Sequence, residues 1–233
     1  MGAFERVEAF FGPAFGRISC ARVAVFGVGG VGGWCAECLA RTGVGHLTLV
    51  DFDRVEETNV NRQVMATSAT VGLPKVKVFA DRLREINPAI SLDVVEGRYT
   101  AESAGEFDLA SHDAVVDAID SVADKADLVR HALSLPNVEL FSSMGAALRF
   151  DPSKVKCTPF GEISGDALAR ALRHRLRRTG GIPERPFTAV WSDEPPAVSR
   201  VEGCLGSLMQ VTAVMGLHLA SSVIRALELR DGI

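Results

Sequence analysis

The chain has 233 residues, 47% of them hydrophobic, with a net charge of −4 and a pI near 5.8. That is enough for one substantial core, and the acidic balance excludes a globally basic nucleic-acid binder while leaving room for a local basic patch. Five cysteines without an evenly spaced framework argue against a disulfide scaffold and for a reduced, cytoplasmic setting.

Residues 1–20 read as an N-terminal helical arm. Phe4–Phe15 mixes four phenylalanines with Glu5, Arg6 and Glu8, which is not the pattern of a secretory signal. Ala21–Phe26 is a short apolar strand that runs into Gly27, Gly29 and Gly32, spaced as G-x-G-x-x-G, with Gly30 and Gly33 thinning the loop further. Cys35–Thr42 follows as a helix closed by Gly43. At such a junction the backbone turns tightly, approaches a polyphosphate, and presents free N–H groups at the positive end of the helix. His46–Asp51 supplies a second strand, and Asp51 at its carboxyl end lies about 20 residues past the glycines, where a carboxylate binds ribose hydroxyls.

Instead of a helix, a polar loop comes next, Phe52–Gln63, and Gly72–Lys75 opens a helix through Val76–Asn87 that Pro88 stops. Leu92–Glu96 is a strand, Ala114–Ile119 a buried parallel strand leading to Asp120, Asp124–Leu135 a helix and Val138–Ser142 a strand. The alternation predicts an α/β, Rossmann-like, doubly wound and mostly parallel sheet with helices on both faces, and a nucleotide-binding core over residues 21–150. Ligands gather at the carboxyl ends of such strands, so Asp51, the Asn59–Arg62 loop and Asp120 should converge on the glycines. Residues 151–233 read as a substrate-side lobe. It holds a strand at Lys154–Thr158, an amphipathic basic helix at Asp166–Arg178 and a strand at Phe187–Trp191. Leu205–Leu227 is apolar but interrupted by Gln210, His218, Ser221, Ser222 and Arg225, which predicts a buried helix and no membrane span.

The polar loop bears on which nucleotide binds. A nicotinamide cofactor uses the glycines and Asp51 but has no use for Arg62 and Lys75 at the same anion. A triphosphate does, and Asp120 can hold its magnesium ion.

Five motifs in order, Gly27-x-Gly-Gly-x-Gly32, Leu49-Val-Asp-x-Asp53, Asn59-x-Asn-Arg-Gln63, Gly72-x-x-Lys75 and Asp117-x-x-Asp120, resemble the ubiquitin-activating-like superfamily of ThiF, MoeB and HesA proteins. Its members adenylate a carboxylate with ATP and magnesium. The resemblance implies the glycine loop (Gly27, Gly29, Gly30, Gly32), Thr58, Asn59, Asn61, Arg62, Gln63 and Lys75 around the phosphates. It places Asp51 on ribose, with Asp53 beside it, and Asp120 on Mg2+ with Ser121 next to it. Arg62, Lys75 and Asp120 are then the catalytic residues. Arg6 falls where the family has an arginine that reaches the partner protomer's ATP site, which implies a homodimer.

Members acting on sulfur-carrier proteins usually carry two C-x-x-C pairs for zinc in the C-terminal half. This chain has only Cys157 and Cys204 there, and Cys35-x-x-Cys38 reads as core packing, so no structural zinc is expected. Asp117-Ala-Ile-Asp-Ser-Val-x-x-Lys125, Ser142-Ser-Met-Gly-Ala146, Asp151-Pro152, Asp166-x-Leu168 and Trp191-Ser-Asp-Glu-Pro195 resemble the tRNA threonylcarbamoyladenosine dehydratase branch, with departures at Pro159, Ile163 and Ala167. That branch activates the threonine carboxylate of the modified adenosine, and attack by the carbamoyl group closes a ring and releases AMP. Independently, Arg170, Arg173, Arg175, Arg177 and Arg178 crowd one helix of an acidic protein, a footprint for backbone phosphates. Arg170, Arg173, Arg177 and Arg178 fall opposite the Leu168, Leu172, Leu176 stripe and would face the anticodon loop of a tRNA. The alternatives are an adenylyltransferase for a sulfur-relay or ubiquitin-like carrier protein, and a nucleotide-binding module without adenylation.

Overall fold

The runs Val23–Phe26, Leu47–Val50 and Ala114–Val116 show little polar alternation, which suits strands covered on both faces. A computed structural model describes residues 2–199, 201–202 and 205–230; Cys204 lies outside them. Among the described residues one sheet forms from β1 (Arg22–Phe26), β2 (His46–Asp51), β3 (Ser91–Glu96), β4 (Ala114–Asp117), β5 (Glu139–Ser143), β6 (Val155–Pro159) and β7 (Thr188–Ser192). The spatial order is β3-β2-β1-β4-β5-β7-β6. Every pairing is parallel except that of β6 with β7. The order reverses between β1 and β4, which opens a crevice at their carboxyl ends.

The arm folds as α1 (Glu5–Phe11) and α2 (Phe15–Cys20). One face of the sheet is covered by α3 (Gly32–Arg41), α4 (Lys75–Ile86) and α7 (Met209–Leu229), and the other by α5 (Val122–Ser134) and α6 (Ala167–Arg178). The first core holds Leu39, Phe79, Met215 and Leu219. The second holds Phe26, Leu128, Leu172 and Trp191. The sheet does not end at residue 142: β7 extends it beside β5, and β6 closes the edge. Residues 151–192 are therefore part of the same layered body.

The apolar C-terminal stretch returns as a helix packed on the core, long and apolar enough to cross a membrane but with Val211, Met215, Leu219, Ala220 and Val223 buried against the protein. It begins at Met209, not Leu205. Residues 205–208 form a strap whose carbonyls bind elsewhere: Leu148 N donates to Gly206 O at 2.8 Å and Asn61 Nδ2 to Ser207 O at 2.9 Å.

Candidate active site

A cavity of about 630 Å³ lies at the crevice. Gly27, Gly29 and Gly30 line it from the loop after β1, Asp51 and Asp53 from the end of β2, Asn59, Arg62 and Gln63 from the polar loop, Lys75 from α4, and Asp120 from the loop after β4. Residues 143–147 after β5, Leu168 of α6 and Leu205 and Ser207 of the strap complete the wall.

The glycine loop is shaped by close approach. Gly27 has φ of +86°, and a Cβ there would sit 2.7 Å from the Ala118 carbonyl oxygen. A Cβ on Gly32 would lie 1.8 Å from the Gly27 oxygen, so Gly32 serves the packing of α3 against the turn and does not face the cavity.

Asp51 is buried and ties the loop to β2. Its Oδ2 accepts from Val28 N and its Oδ1 from Asp53 N, both at 2.9 Å. Burial pushes the carboxyl above its usual value, against the pull of the Asp53 amide, of Lys75 and of the Val28 amide. Each oxygen keeps a lone pair for a hydroxyl donor. Lys75 stands at the first position of α4, where the helix dipole disfavours a cation. It is buried, and its Nζ reaches Asp53 Oδ2 at 2.7 Å, which aims the ammonium into the cavity.

Arg62 is held by its neighbours. Its Nη1 donates to Thr58 O at 2.8 Å and Asn61 Oδ1 at 2.9 Å, and Trp34 Nε1 donates to the Arg62 carbonyl at 3.1 Å. Thr58 and Asn61, expected around the phosphates, thus do not line the cavity but shape the loop behind Arg62. Asn59 is buried and closes its own turn by accepting from Glu56 N at 3.2 Å. Gln63 Oε1 is buried without a partner, an acceptor awaiting a donor. Asp120 is exposed at the rim, and among the described residues no donor or cation holds its carboxylate. Ser121 immediately precedes α5 and Arg6 lies exposed on α1; neither lines this cavity.

On α6, Arg170, Arg175, Arg177 and Arg178 are exposed, but Arg173 does not point outward as the leucine stripe suggested. Its Nη2 donates to the carbonyls of Phe160 at 2.9 Å and Ile163 at 2.6 Å, and the guanidinium lies over the Phe160 ring. Burial raises the thiol pKa of Cys35, Cys38 and Cys157, which leaves them poor nucleophiles.

The sequence reading gave no individual role to Arg98, Asp124 or Lys125. Arg98 and Asp124 both line the cavity and pair at 2.7 Å, and Lys125 makes a fully buried ion pair with Asp117. The signal for Lys125 was present: a lysine in register with Leu128, Val129 and Ala132 on the apolar face of α5.

Residues 5–231 match the ThiF family. The chain belongs to that family. Among its relatives, tRNA threonylcarbamoyladenosine dehydratase of Escherichia coli is 40% identical over 162 residues, 70% of this chain and 60% of that one. Molybdopterin-synthase adenylyltransferase of Salmonella typhimurium is also 40% identical over 194 residues, 83% of this chain and 72% of that one. The crystal structure of the E. coli dehydratase in complex with ATP superposes with a TM-score of 0.89 at 33% identity, covering 97% of this chain and 93% of that one. This agrees with the seven-stranded order described above, so the doubly wound, Rossmann-like architecture expected of a ThiF protein is the one present.

Proposed function

We propose that this ThiF-family chain is an ATP-dependent tRNA threonylcarbamoyladenosine dehydratase. The observation that carries the reading is the convergence of Asp51, Arg62, Lys75 and Asp120 from four separate segments on one cavity beside the glycine turn. Such a set suits a triphosphate better than a dinucleotide, because two cations and an unheld carboxylate surround the anion site. The exposed arginines of α6 favour RNA, and the described cysteines, all free, offer no pair of C-x-x-C sites for zinc.

The threonyl carboxylate of the modified adenosine attacks the α-phosphorus in line and pyrophosphate leaves; the carbamoyl group then attacks the acyl adenylate, the ring closes and AMP departs. Asp51 orients the ribose and the amides of the glycine turn face the phosphates. Arg62 and Lys75 offset the charge that grows on the leaving oxygens. Magnesium fits the donor set, since Asp120 presents a free hard-oxygen ligand at the rim of the cavity. When bound it neutralises phosphate charge, with Asp120 as its protein ligand.

The arm points to a homodimer. None of the residues of α1 is buried, and Phe10 is 81% exposed, so this helix has little reason to form in a monomer. A second copy would cover it and bring Arg6 toward the neighbouring ATP site.

AMP and pyrophosphate release should be measured with ATP and magnesium plus tRNA carrying threonylcarbamoyladenosine, plus a sulfur-carrier protein, or plus neither. Release is expected with the modified tRNA alone. Release driven by the carrier protein instead would replace the reading with an adenylyltransferase.

A further inference from the structure

Directly under the cavity lies the buried ion pair between β4 and α5. Lys125 Nζ donates to Asp117 Oδ2 at 2.7 Å, to Ser142 Oγ at 3.3 Å and to Ser143 O at 3.1 Å, while the Ser142 hydroxyl donates to Asp117 Oδ2 at 2.6 Å. Asp117 Oδ1 accepts from Ile119 N at 3.1 Å. Both charged side chains have 0% exposure. The ammonium has three protons and three acceptors, so the cluster is closed and has no capacity left for substrate. A closed pair of this kind roughly breaks even against apolar residues of the same size, so stability alone does not account for it.

What it touches does. Asp117 fixes the amide of Ile119, on the turn that carries Asp120, and Lys125 fixes the carbonyl of Ser143, where β5 gives way to the opposite wall. The Ala118 carbonyl on the same turn is the group pressed against Gly27. One buried pair therefore sets the spacing between the Asp120 turn, the glycine turn and the 143–145 wall.

We infer that Asp117 and Lys125 are positioning residues for the transition state, holding the unheld Asp120 and the wall after β5 at the separation that the reaction needs. The inference rests on the adenylation reading above. In the proposed site Asp51 meets the ribose and Arg62 and Lys75 reach the phosphates from elements that the pair does not touch, so loss of the pair should lower turnover more than ATP affinity. A displacement of about 1 Å at a reacting group costs on the order of a hundredfold.

The test is the double variant D117L/K125M, which removes both charges at similar volume, beside K125M, which leaves a buried carboxylate unpaired. ATP affinity is read by calorimetry, amide exchange at residues 118–121 and 143–145 by mass spectrometry, the melting temperature by calorimetry, and AMP formation with modified tRNA. The double variant is expected to melt near the parent and bind ATP within about threefold, with faster exchange in both segments and turnover down at least about tenfold. D117N/K125Q, which keeps an acceptor for the Ile119 amide, should recover part of the turnover. Parent turnover in the double variant, an equal loss in ATP affinity, or failure of the double variant to fold would each overturn the inference. Absence of AMP formation by the parent enzyme would instead refute the functional reading, and the exchange measurement would still report on whether the pair holds the two walls.

Discussion

Replacing Arg62 by alanine isolates one charge with little collateral change. The side chain contributes the bonds from Nη1 to Thr58 O and Asn61 Oδ1, while the loop itself is anchored through the Arg62 carbonyl to Trp34 and through Asn61 to the Ser207 carbonyl. Those anchors survive in the variant, so the cavity should keep its shape. The two neutral-acceptor bonds are partly exposed and together contribute little to folding, about 1 kcal/mol or less each. In the proposed reaction the remaining nitrogens face phosphate oxygens whose charge grows as pyrophosphate departs. Removing one preorganised donor of that kind costs about 2.7–4 kcal/mol of activation free energy, a fall in kcat of roughly 10²–10³-fold. Arg62→Lys keeps a charge but not the fork that Thr58 and Asn61 hold, and should fall between. The assay is AMP formation at saturating ATP and modified tRNA, with calorimetry for ATP affinity. A kcat within threefold of the parent would refute the assignment of this loop to leaving-group stabilisation.

Asp51→Ala should raise KM for ATP more than it lowers kcat, because ribose contacts are equal before and during reaction; it should also destabilise the fold by roughly 1–3 kcal/mol, since Val28 N and Asp53 N lose their acceptor. A kcat effect without a KM effect would contradict this. Charge reversal of Arg170, Arg177 and Arg178, the exposed arginines of α6, should weaken tRNA binding, leave ATP affinity unchanged and flatten the salt dependence of tRNA affinity by a slope of roughly two, whereas Arg173→Glu should chiefly lower the melting temperature. An unchanged slope in the triple variant would move the RNA to another surface. His112 is buried, with its Nε2 2.8 Å from Thr48 Oγ1 and its Nδ1 3.0 Å from Asp108 O. Burial holds its pKa below the ordinary value, with Arg22 and His46 adding to the depression and the Asp108 carbonyl opposing it. The unfolded chain therefore takes up a proton first, and the stability His112 contributes is present above about pH 6.5 and lost as pH falls through its folded pKa. Urea melts at pH 7.5 and 5.5 should show a smaller difference in His112→Gln than in the parent; equal differences would show that His112 does not titrate in this window.

The nucleotide half of the site was legible because it is local. Gly27, Gly32 and Asp51 are bound to one strand-turn-helix-strand unit, and their geometry follows from spacing alone. The buried strands were legible for a similar reason, since continuous apolar runs leave few alternatives. What could not be read depends on partners far away in the chain. The strap at 205–208 has a composition that continues a helix, yet its carbonyls are claimed by Leu148 and Asn61. Arg173 sits one residue from Leu172, at the edge of the apolar stripe, and its reach lets it turn back to two loop carbonyls. Periodicity places a Cβ; it does not say where a flexible guanidinium ends.

Local rules are broken where the cavity is, which is where a fold is expected to tolerate it. A lysine at the N-terminus of α4 opposes the helix dipole and is nevertheless buried. Gln63 keeps a buried oxygen without a donor, and Asp120 projects a carboxylate that no described residue neutralises. Leu148, at the end of the 143–147 wall, takes φ of 60°, a left-handed conformation that a leucine adopts only when its surroundings impose it. Each is unfavourable alone; Lys75 is offset through Asp53, and Leu148 is held by backbone bonds to Gly206 and Ala197. A polyanion with hydroxyl donors and a bound cation would satisfy the first three together: phosphate for the lysine, a donor for the glutamine, a metal for the aspartate. A dinucleotide without a metal leaves Asp120 facing its negative charge. That mismatch, more than the glycine turn shared by both classes of ligand, is the physical reason to read the cavity as an ATP site.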